Sequence, residues 1–164
     1  MAGLVDLTDD IRAVVESAHL AFVATVTPDG LPHLSPKGTI RVLDRHRLYF
    51  LDIASPGTRR NLGVRPWMEI NVIDALSRRG YRFFGAAAIQ EGEVAARACA
   101  RVFEEEGARF DVAAVVVLEV HRALSLVSPG YLHVRDERAM RSAWRAKRRG
   151  LDRAFEAHLR HNRG

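Results

Sequence analysis

The sequence contains a single cysteine, Cys99, so a disulfide within the chain and a cysteine-rich zinc cluster are both excluded. No hydrophobic run approaches the length that crosses a membrane, and the acidic beginning of the chain does not have the layout of a signal peptide. These absences predict a protein of the reducing cytoplasm with no part in a membrane.

The common nucleotide-binding and catalytic motifs are also missing. The chain has no G-x-G-x-x-G, no P-loop, no H-E-x-x-H and no G-x-S-x-G. Its seven histidines are scattered, and the pair His158 and His161 lies near the end of the chain. We therefore predict no metal site and name no catalytic residue. Any nucleotide-like ligand must be held by something other than a Rossmann or Walker unit.

Length and composition are typical of one soluble globular domain that spans residues 1–164. Hydrophobic residues make up 48% of the chain and charged residues 27%, and the net charge is +5. A positive charge of this size raises the question of nucleic-acid binding. The chain lacks a recognisable base-reading motif and an aromatic-rich surface, so we expect no such partner.

Much of the positive charge lies in the C-terminal segment, about residues 134–161. Apolar residues recur there at steps of three, four and seven, which predicts an amphipathic helix: Met140, Ala143, Trp144, Leu151, Phe155 and Leu159. Gly150 is a candidate break in this helix. We interpret the basic residues as the solvated face of a helix whose apolar face is docked.

The rest of the chain reads as short strands joined by tight turns, with helices at the edges. A helix is predicted over about 8–18, capped by Thr8, and another over 93–107, ended by Gly107. The strands are predicted over 20–26, 31–43, 48–53, 67–74, 81–89 and 111–127. This order favours a mainly β, α+β fold: a small closed or partly closed antiparallel barrel flanked by helices.

The second predicted strand carries an unusual polar face, which consists of His33, Ser35, Lys37, Thr39 and Arg41. Polar faces are common on exposed strands. Pro36 and Gly38 interrupt this one, however, and such residues favour a bulge or a close approach of the backbone to a ligand. Both interpretations remain open from the residues alone.

Two adjacent arginines, Arg59 and Arg60, follow a Pro-Gly turn where a strand ends and a short helix can begin. Thr58 can cap that helix or donate its hydroxyl, and free backbone N–H groups at a helix start attract anions. Two guanidinium groups at such a position match the geometry of a phosphate monoester. A solvated surface pair is the alternative, and the same alternatives apply to Arg78 and Arg79.

The order of these features strongly resembles the pyridoxamine 5′-phosphate oxidase-like, FMN-binding split-barrel family. The resemblance covers roughly residues 15–95 and depends on the "PDG" hairpin, the "SPKG" and "LYF" strands, the arginine-bearing helix start and "RRGYRFFG". It implies a split barrel whose two subunits build two FMN sites at their interface, so we expect a homodimer.

The resemblance also implies the residues of the cofactor site. Thr58, Arg59 and Arg60 would hold the FMN phosphate, next to Asn61. The ribityl chain and the ring would lie along Ser35, Pro36, Lys37, Gly38, Thr39, Leu51 and Asp52. Arg79 and Gly80 would approach the ring from the partner subunit.

The sequence departs from the vitamin-B6 oxidase itself, because the substrate-phosphate residues of that enzyme are missing and a basic helix replaces its C-terminal strand. We therefore expect a flavin-dependent oxidoreductase that does not oxidise pyridoxamine 5′-phosphate and whose substrate is unidentified. A deazaflavin or haem in the same cleft is the alternative. A further alternative is a non-enzymatic basic barrel that binds nucleic acid or a partner protein.

Overall fold

A computed structural model of the chain describes residues 3–161 and consists of one seven-stranded sheet with four α-helices. The strands are β1 (Ala21–Val26), β2 (Pro32–Lys37), β3 (Arg41–Val42), β4 (Arg47–Asp52), β5 (Trp67–Asp74), β6 (Arg79–Gln90) and β7 (Ala114–Val127). The helices are α1 (Asp9–Ala18), α2 (Pro56–Val64), α3 (Gly92–Glu106) and α4 (Glu137–His161).

The sheet has the strand order β2-β1-β5-β6-β7-β4-β3, and β1 pairs antiparallel with both β2 and β5. β4 pairs antiparallel with β3 and with β7. The predicted antiparallel split barrel of α+β class is confirmed. The alternation predicted for β5 is also correct, because Met68, Ile70 and Val72 are buried on one face.

Two apolar clusters stabilise this arrangement. The larger lies on the inner face of the curled sheet and includes Val23, Phe50 and Phe83. The smaller lies on the other face of β4 and β7, where Tyr49 and Val117 are among the residues that pack against α3. Thr8 caps α1 by accepting a hydrogen bond from Ile11 N, and Gly107 ends α3 with a positive φ of 63°, both as predicted.

The second predicted strand is broken in the structure. It ends at Lys37, and the chain forms a new strand, β3, only at Arg41. The polar face of β2 is directed inward, because Lys37 is only 5% exposed whereas Leu34 on the opposite face is 64% exposed. The interpretation of this polar face as solvated surface is therefore wrong for β2.

Helix α2 begins earlier than predicted, because Pro56 is its first residue. Ser55 occupies the N-cap position, and its side chain makes no capping hydrogen bond. Thr58 lies inside the helix and is fully buried, so the predicted capping role of Thr58 is wrong.

The chain divides into two compact units. Among the described residues, the larger comprises 3–73 together with Gly80–Leu126, and the smaller comprises Asp74–Arg79 and 127–161. Residues 127–164 contain ten basic residues (Arg and Lys) and four acidic residues (Asp and Glu). Residues 1–126 contain 15 basic and 16 acidic residues. The whole positive excess of the protein therefore belongs to the C-terminal segment.

Helix α4 is continuous from Glu137 to His161, so Gly150 does not break it. Met140 is buried, but Leu151, Phe155 and Leu159 are all exposed. The docked apolar face predicted for this helix is therefore limited to its first part. Neither α4 nor any other helix within residues 3–161 combines the length and the apolar character needed to cross a membrane.

Candidate functional site

A cleft of about 530 Å³ lies in the larger unit, beside the break that follows β2. It is lined by Ser35, Pro36, Lys37, Gly38, Thr39, Leu51, Ile53, Ala54, Ser55, Glu106 and Phe110. The structure therefore brings together the five consecutive residues of the "SPKGT" segment and the end of β4, all of them predicted site residues.

Thr39 fixes the wall of this cleft to the end of β4. Its hydroxyl accepts a hydrogen bond from Leu51 N at 2.9 Å and donates one to Leu51 O at 3.2 Å. Thr39 and Leu51 thereby pair across the break, as strand residues would, although neither Gly38 nor Thr39 belongs to a strand. The backbone at Gly38 is thus held along one side of the cleft.

Lys37 is the cation of the cleft. Its Nζ donates hydrogen bonds to Ser35 Oγ, at 3.0 Å, and to Ser55 Oγ. It also lies 3.7 Å from Oδ1 of Asp52. Burial lowers the pKa of Lys37, and the carboxylate of Asp52 partly opposes that change.

The end of β4 and the first turn of α2 carry buried polar atoms that have no hydrogen-bond partner among the described residues. These atoms are both carboxylate oxygens of Asp52, Oγ1 of Thr58 and Nε of Arg59. Arg59 Nε lies 3.0 Å from Asp52 Oδ2, which is close enough for an ion pair, but the N–H group does not point at that oxygen. Buried polar atoms are nearly always paired, so this group marks a place where a ligand or water completes the structure.

The remaining predicted residues have different surroundings. Asn61 is buried and donates from Nδ2 to Thr25 Oγ1 at 2.9 Å, so this donor links α2 to β1. Arg60 is exposed on α2. Gly80 lies so close to β5 that a Cβ atom would be 2.0 Å from Val72 O. Arg79 belongs to the smaller unit, where its guanidinium lies 5.1 Å from the centre of the Tyr131 ring.

Comparison with known protein families shows the family to which this chain belongs. The profile of the pyridoxamine 5′-phosphate oxidase family matches residues 7–126, which is well over half of the chain. The chain belongs to the pyridoxamine 5′-phosphate oxidase family. The match ends where the basic C-terminal segment begins, so α4 lies outside the part of the chain that the family defines.

Solved structures of similar fold agree with this membership. HupZ of Group A Streptococcus is 30% identical, with a TM-score of 0.65, over 74% of this chain and 94% of that one. An FMN-binding protein of Syntrophomonas wolfei is 16% identical, with a TM-score of 0.62, over 74% and 87%. HutZ, the haem storage protein of Vibrio cholerae, is 19% identical, with a TM-score of 0.60, over 74% and 96%. The last two likenesses show the fold alone, and no curated protein sequence matches the chain.

In this member of the pyridoxamine 5′-phosphate oxidase family, α3 and the residues after it supply a wall of the cleft that sequence reasoning missed. Glu106 and Phe110 line the cleft, and Glu106 is held by a 2.8 Å hydrogen bond from the buried Arg41. Nothing in the run of three glutamates before Gly107 indicated that one of them lines a cleft. Ser55 was also missed, although only Ala54 separates it from the strand predicted over 48–53.

Proposed function

We propose that the protein is a cytoplasmic FMN-binding flavoprotein that acts as an oxidoreductase on an unidentified small molecule. The observation that carries the proposal is a pair of buried donors without a hydrogen bond among the described residues, Thr58 Oγ1 and Arg59 Nε. They belong to α2, whose N-cap residue Ser55 lines the cleft beside the "SPKGT" segment. Family membership supports flavin as the ligand class.

The donor set fits a phosphate group. Thr58 and Arg59 offer an O–H and an N–H group that donate no hydrogen bond to a described residue, and the exposed Arg60 follows them on the same helix. Charged donors of this kind form the strongest hydrogen bonds with phosphate oxygens. In this proposal these three residues hold the FMN phosphate, and Asn61 keeps α2 against β1.

The cleft fits the sugar-alcohol part of FMN. Ser35, Lys37 and Ser55 form a connected polar group along one wall, with Ser35 Oγ 3.3 Å from Ser55 Oγ. Such a wall offers donors and acceptors to the hydroxyl groups of a ribityl chain. Pro36, Gly38 and Leu51 present backbone and apolar surface beside them.

FMN, when bound, supplies the electron or hydride transfer. The residues of this chain bind and orient the cofactor, and the buried Lys37 keeps a positive charge beside the cleft. We nominate no residue of the chain as an acid or base. We do not expect the protein to oxidise pyridoxamine 5′-phosphate, because the residues that hold the substrate phosphate in the vitamin-B6 oxidase were not found in the sequence.

We propose that the protein forms a homodimer. An exposed apolar face of the sheet supports this assembly. Phe22 and Val26 of β1 share a face with Leu34 of β2 and Trp67 of β5, and all four are at least 40% exposed. Exposed apolar side chains that adjoin each other on one face are typical of an interface. In the dimer, Arg79 and Gly80 of one subunit would approach the flavin ring of the other.

The experiment that tests the function is mass spectrometry of the small molecule that the purified protein releases on denaturation. Release of FMN, with a flavin absorption spectrum of the intact protein, is the expected result. Release of haem or of a deazaflavin would contradict the cofactor. A protein that releases none of these molecules and does not bind added FMN would contradict the whole proposal.

Light scattering tests the assembly, with Leu34→Glu as the variant, because a charge on this apolar face opposes pairing of two copies. We expect a dimer for the wild type and a monomer for the variant. A wild-type monomer that binds FMN would overturn the proposed interface.

A further inference from the structure

Asp52 lies at the end of β4 and is fully buried between two cations from different elements. Lys37 of β2 places its Nζ 3.7 Å from Oδ1, and Arg59 of α2 places its Nε 3.0 Å from Oδ2. Neither carboxylate oxygen has a hydrogen bond among the described residues. Asp52 is thus held by charge, without the hydrogen bonds that usually accompany a buried carboxylate.

A buried carboxylate in this position is unexpected for a site that binds an anion. Two cations alone would form a strongly positive pocket for a phosphate group. The carboxylate reduces the charge of the three groups to a single positive charge. In poorly screened surroundings it also repels any second anion that approaches the same cations.

Asp52 nevertheless has a clear role when no ligand is bound. Lys37 is buried and Arg59 is partly buried, and two cations that share one carboxylate in such surroundings are costly unless that opposite charge is present. Asp52 provides that charge from a rigid strand position.

We propose that Asp52 is an internal counter-ion that stands in for the anionic group of the ligand until the ligand binds, and that it limits how much affinity the ligand gains from its negative charge. The proposal rests on the proposed FMN site. Asp52 is then a specificity-determining residue: it decides how strongly the site prefers a phosphorylated flavin over a neutral one.

The test compares FMN with riboflavin, which differs from it only by the phosphate group. Affinities of both are measured by titration calorimetry for the wild type and for Asp52→Asn. We expect the ratio of FMN affinity to riboflavin affinity to rise by about tenfold in the variant, since an opposing charge is removed. An unchanged or lower ratio would overturn the proposal, because a merely structural role of Asp52 would weaken both ligands alike.

Asp44→Asn is the matched control. Asp44 is a carboxylate of the turn before β4 and pairs with Arg47 outside the cleft. Its variant should leave the ratio as it is in the wild type. A ratio that rises equally in the control would show that the change in net charge alone is responsible, and would contradict the role of Asp52.

Two further variants keep the proposal testable if Asp52→Asn does not fold. Lys37→Met removes one cation, and Lys37→Met with Asp52→Asn removes one charge of each sign. We expect a lower ratio in the first variant and a ratio close to that of the wild type in the second. Equal ratios in these two variants would overturn the proposal.

A second measurement separates this inference from the proposed function. Inorganic phosphate, compared with chloride at the same ionic strength, should raise the melting temperature of Asp52→Asn more than that of the wild type. If neither protein binds a flavin but this difference is found, the FMN proposal fails and the role of Asp52 stands. If both proteins bind FMN and the difference is absent, the role of Asp52 fails and the FMN proposal stands.

Discussion

Thr39 and Leu51 are joined by two hydrogen bonds through one hydroxyl group, which accepts from Leu51 N at 2.9 Å and donates to Leu51 O at 3.2 Å. Both residues are buried. The side chain of Thr39 therefore satisfies two backbone groups at the point where the sheet is broken between β2 and β3. This link holds one wall of the cleft in place.

Thr39→Val should lower the free energy of unfolding by about 1–3 kcal/mol, because it leaves the N–H and C=O groups of Leu51 buried without partners. Thr39→Ser keeps the hydroxyl and should recover most of this loss. Chemical denaturation of the three proteins measures both effects. Equal stability of the valine variant and the wild type would contradict this role.

Gly85→Ala should destabilise the sheet, since a Cβ atom at this position would lie 1.8 Å from Glu119 O. Backbone atoms cannot move aside as a flexible side chain can, so we expect a loss of about 3 kcal/mol or more. Gly150→Ala is the control, because nothing lies within 4 Å of its Cβ position in α4. There alanine should raise helix stability by roughly 0.5–1 kcal/mol. Similar melting temperatures of the two variants would contradict the close contact.

Asp74 should stabilise the smaller unit in a pH-dependent way. Burial raises the pKa of this carboxyl, but hydrogen bonds from Leu76 N and Ser77 N and the charge of Arg141 outweigh burial and hold the pKa below its usual value. A lowered pKa stabilises the folded state above the ordinary value near 3.9, and this contribution disappears as the pH falls through the folded pKa.

Asp74→Asn should therefore lower the free energy of unfolding by about 1–2 kcal/mol at pH 7, and the difference from the wild type should shrink below about pH 4. Denaturation curves at several pH values measure this. Asp152→Asn, on an exposed part of α4, should show no such difference at any pH. A constant difference between Asp74→Asn and the wild type down to pH 3 would contradict the assignment.

Local sequence signals were sufficient for most elements of the fold. The alternation of Met68, Ile70 and Val72 located a half-buried strand, and Thr8 and Gly107 marked helix ends that are present in the structure. These signals act between residues close in sequence, where periodicity and backbone preference determine the local structure.

The polar face of β2 shows where such reasoning stops. Alternation identifies the residues that share a face, but it does not tell which face the sheet buries. Lys37 is buried because it forms an ion pair with Asp52 and a hydrogen bond with Ser55, and both residues lie more than ten positions later in the sequence. The wall formed by Glu106 and Phe110 depends likewise on where the end of α3 lies, and no local pattern encodes that position.

Arg60→Ala should weaken FMN binding by about ten- to hundredfold, because the phosphate loses a charge-assisted contact. Arg60 is exposed, so the free energy of unfolding should stay within about 0.5 kcal/mol of the wild type. Arg60→Lys should also weaken binding if the contact is bidentate, because lysine retains the charge without the planar fork. Riboflavin is the control ligand and should bind all three proteins alike. Unchanged FMN affinity in Arg60→Ala would show that Arg60 is a surface residue with no role in binding the phosphate.

Thr58→Val should separate stability from binding, because the hydroxyl of Thr58 is buried and has no hydrogen-bond partner among the described residues. Replacing an unsatisfied buried hydroxyl by a methyl group of similar size should leave the free energy of unfolding unchanged or raise it by up to about 1 kcal/mol. The same change removes a donor to the proposed phosphate, so FMN should bind about tenfold more weakly. Thr58→Ser retains the donor and should bind FMN like the wild type. A valine variant that loses more than about 1 kcal/mol of stability and binds FMN normally would show that the hydroxyl serves the fold rather than the ligand.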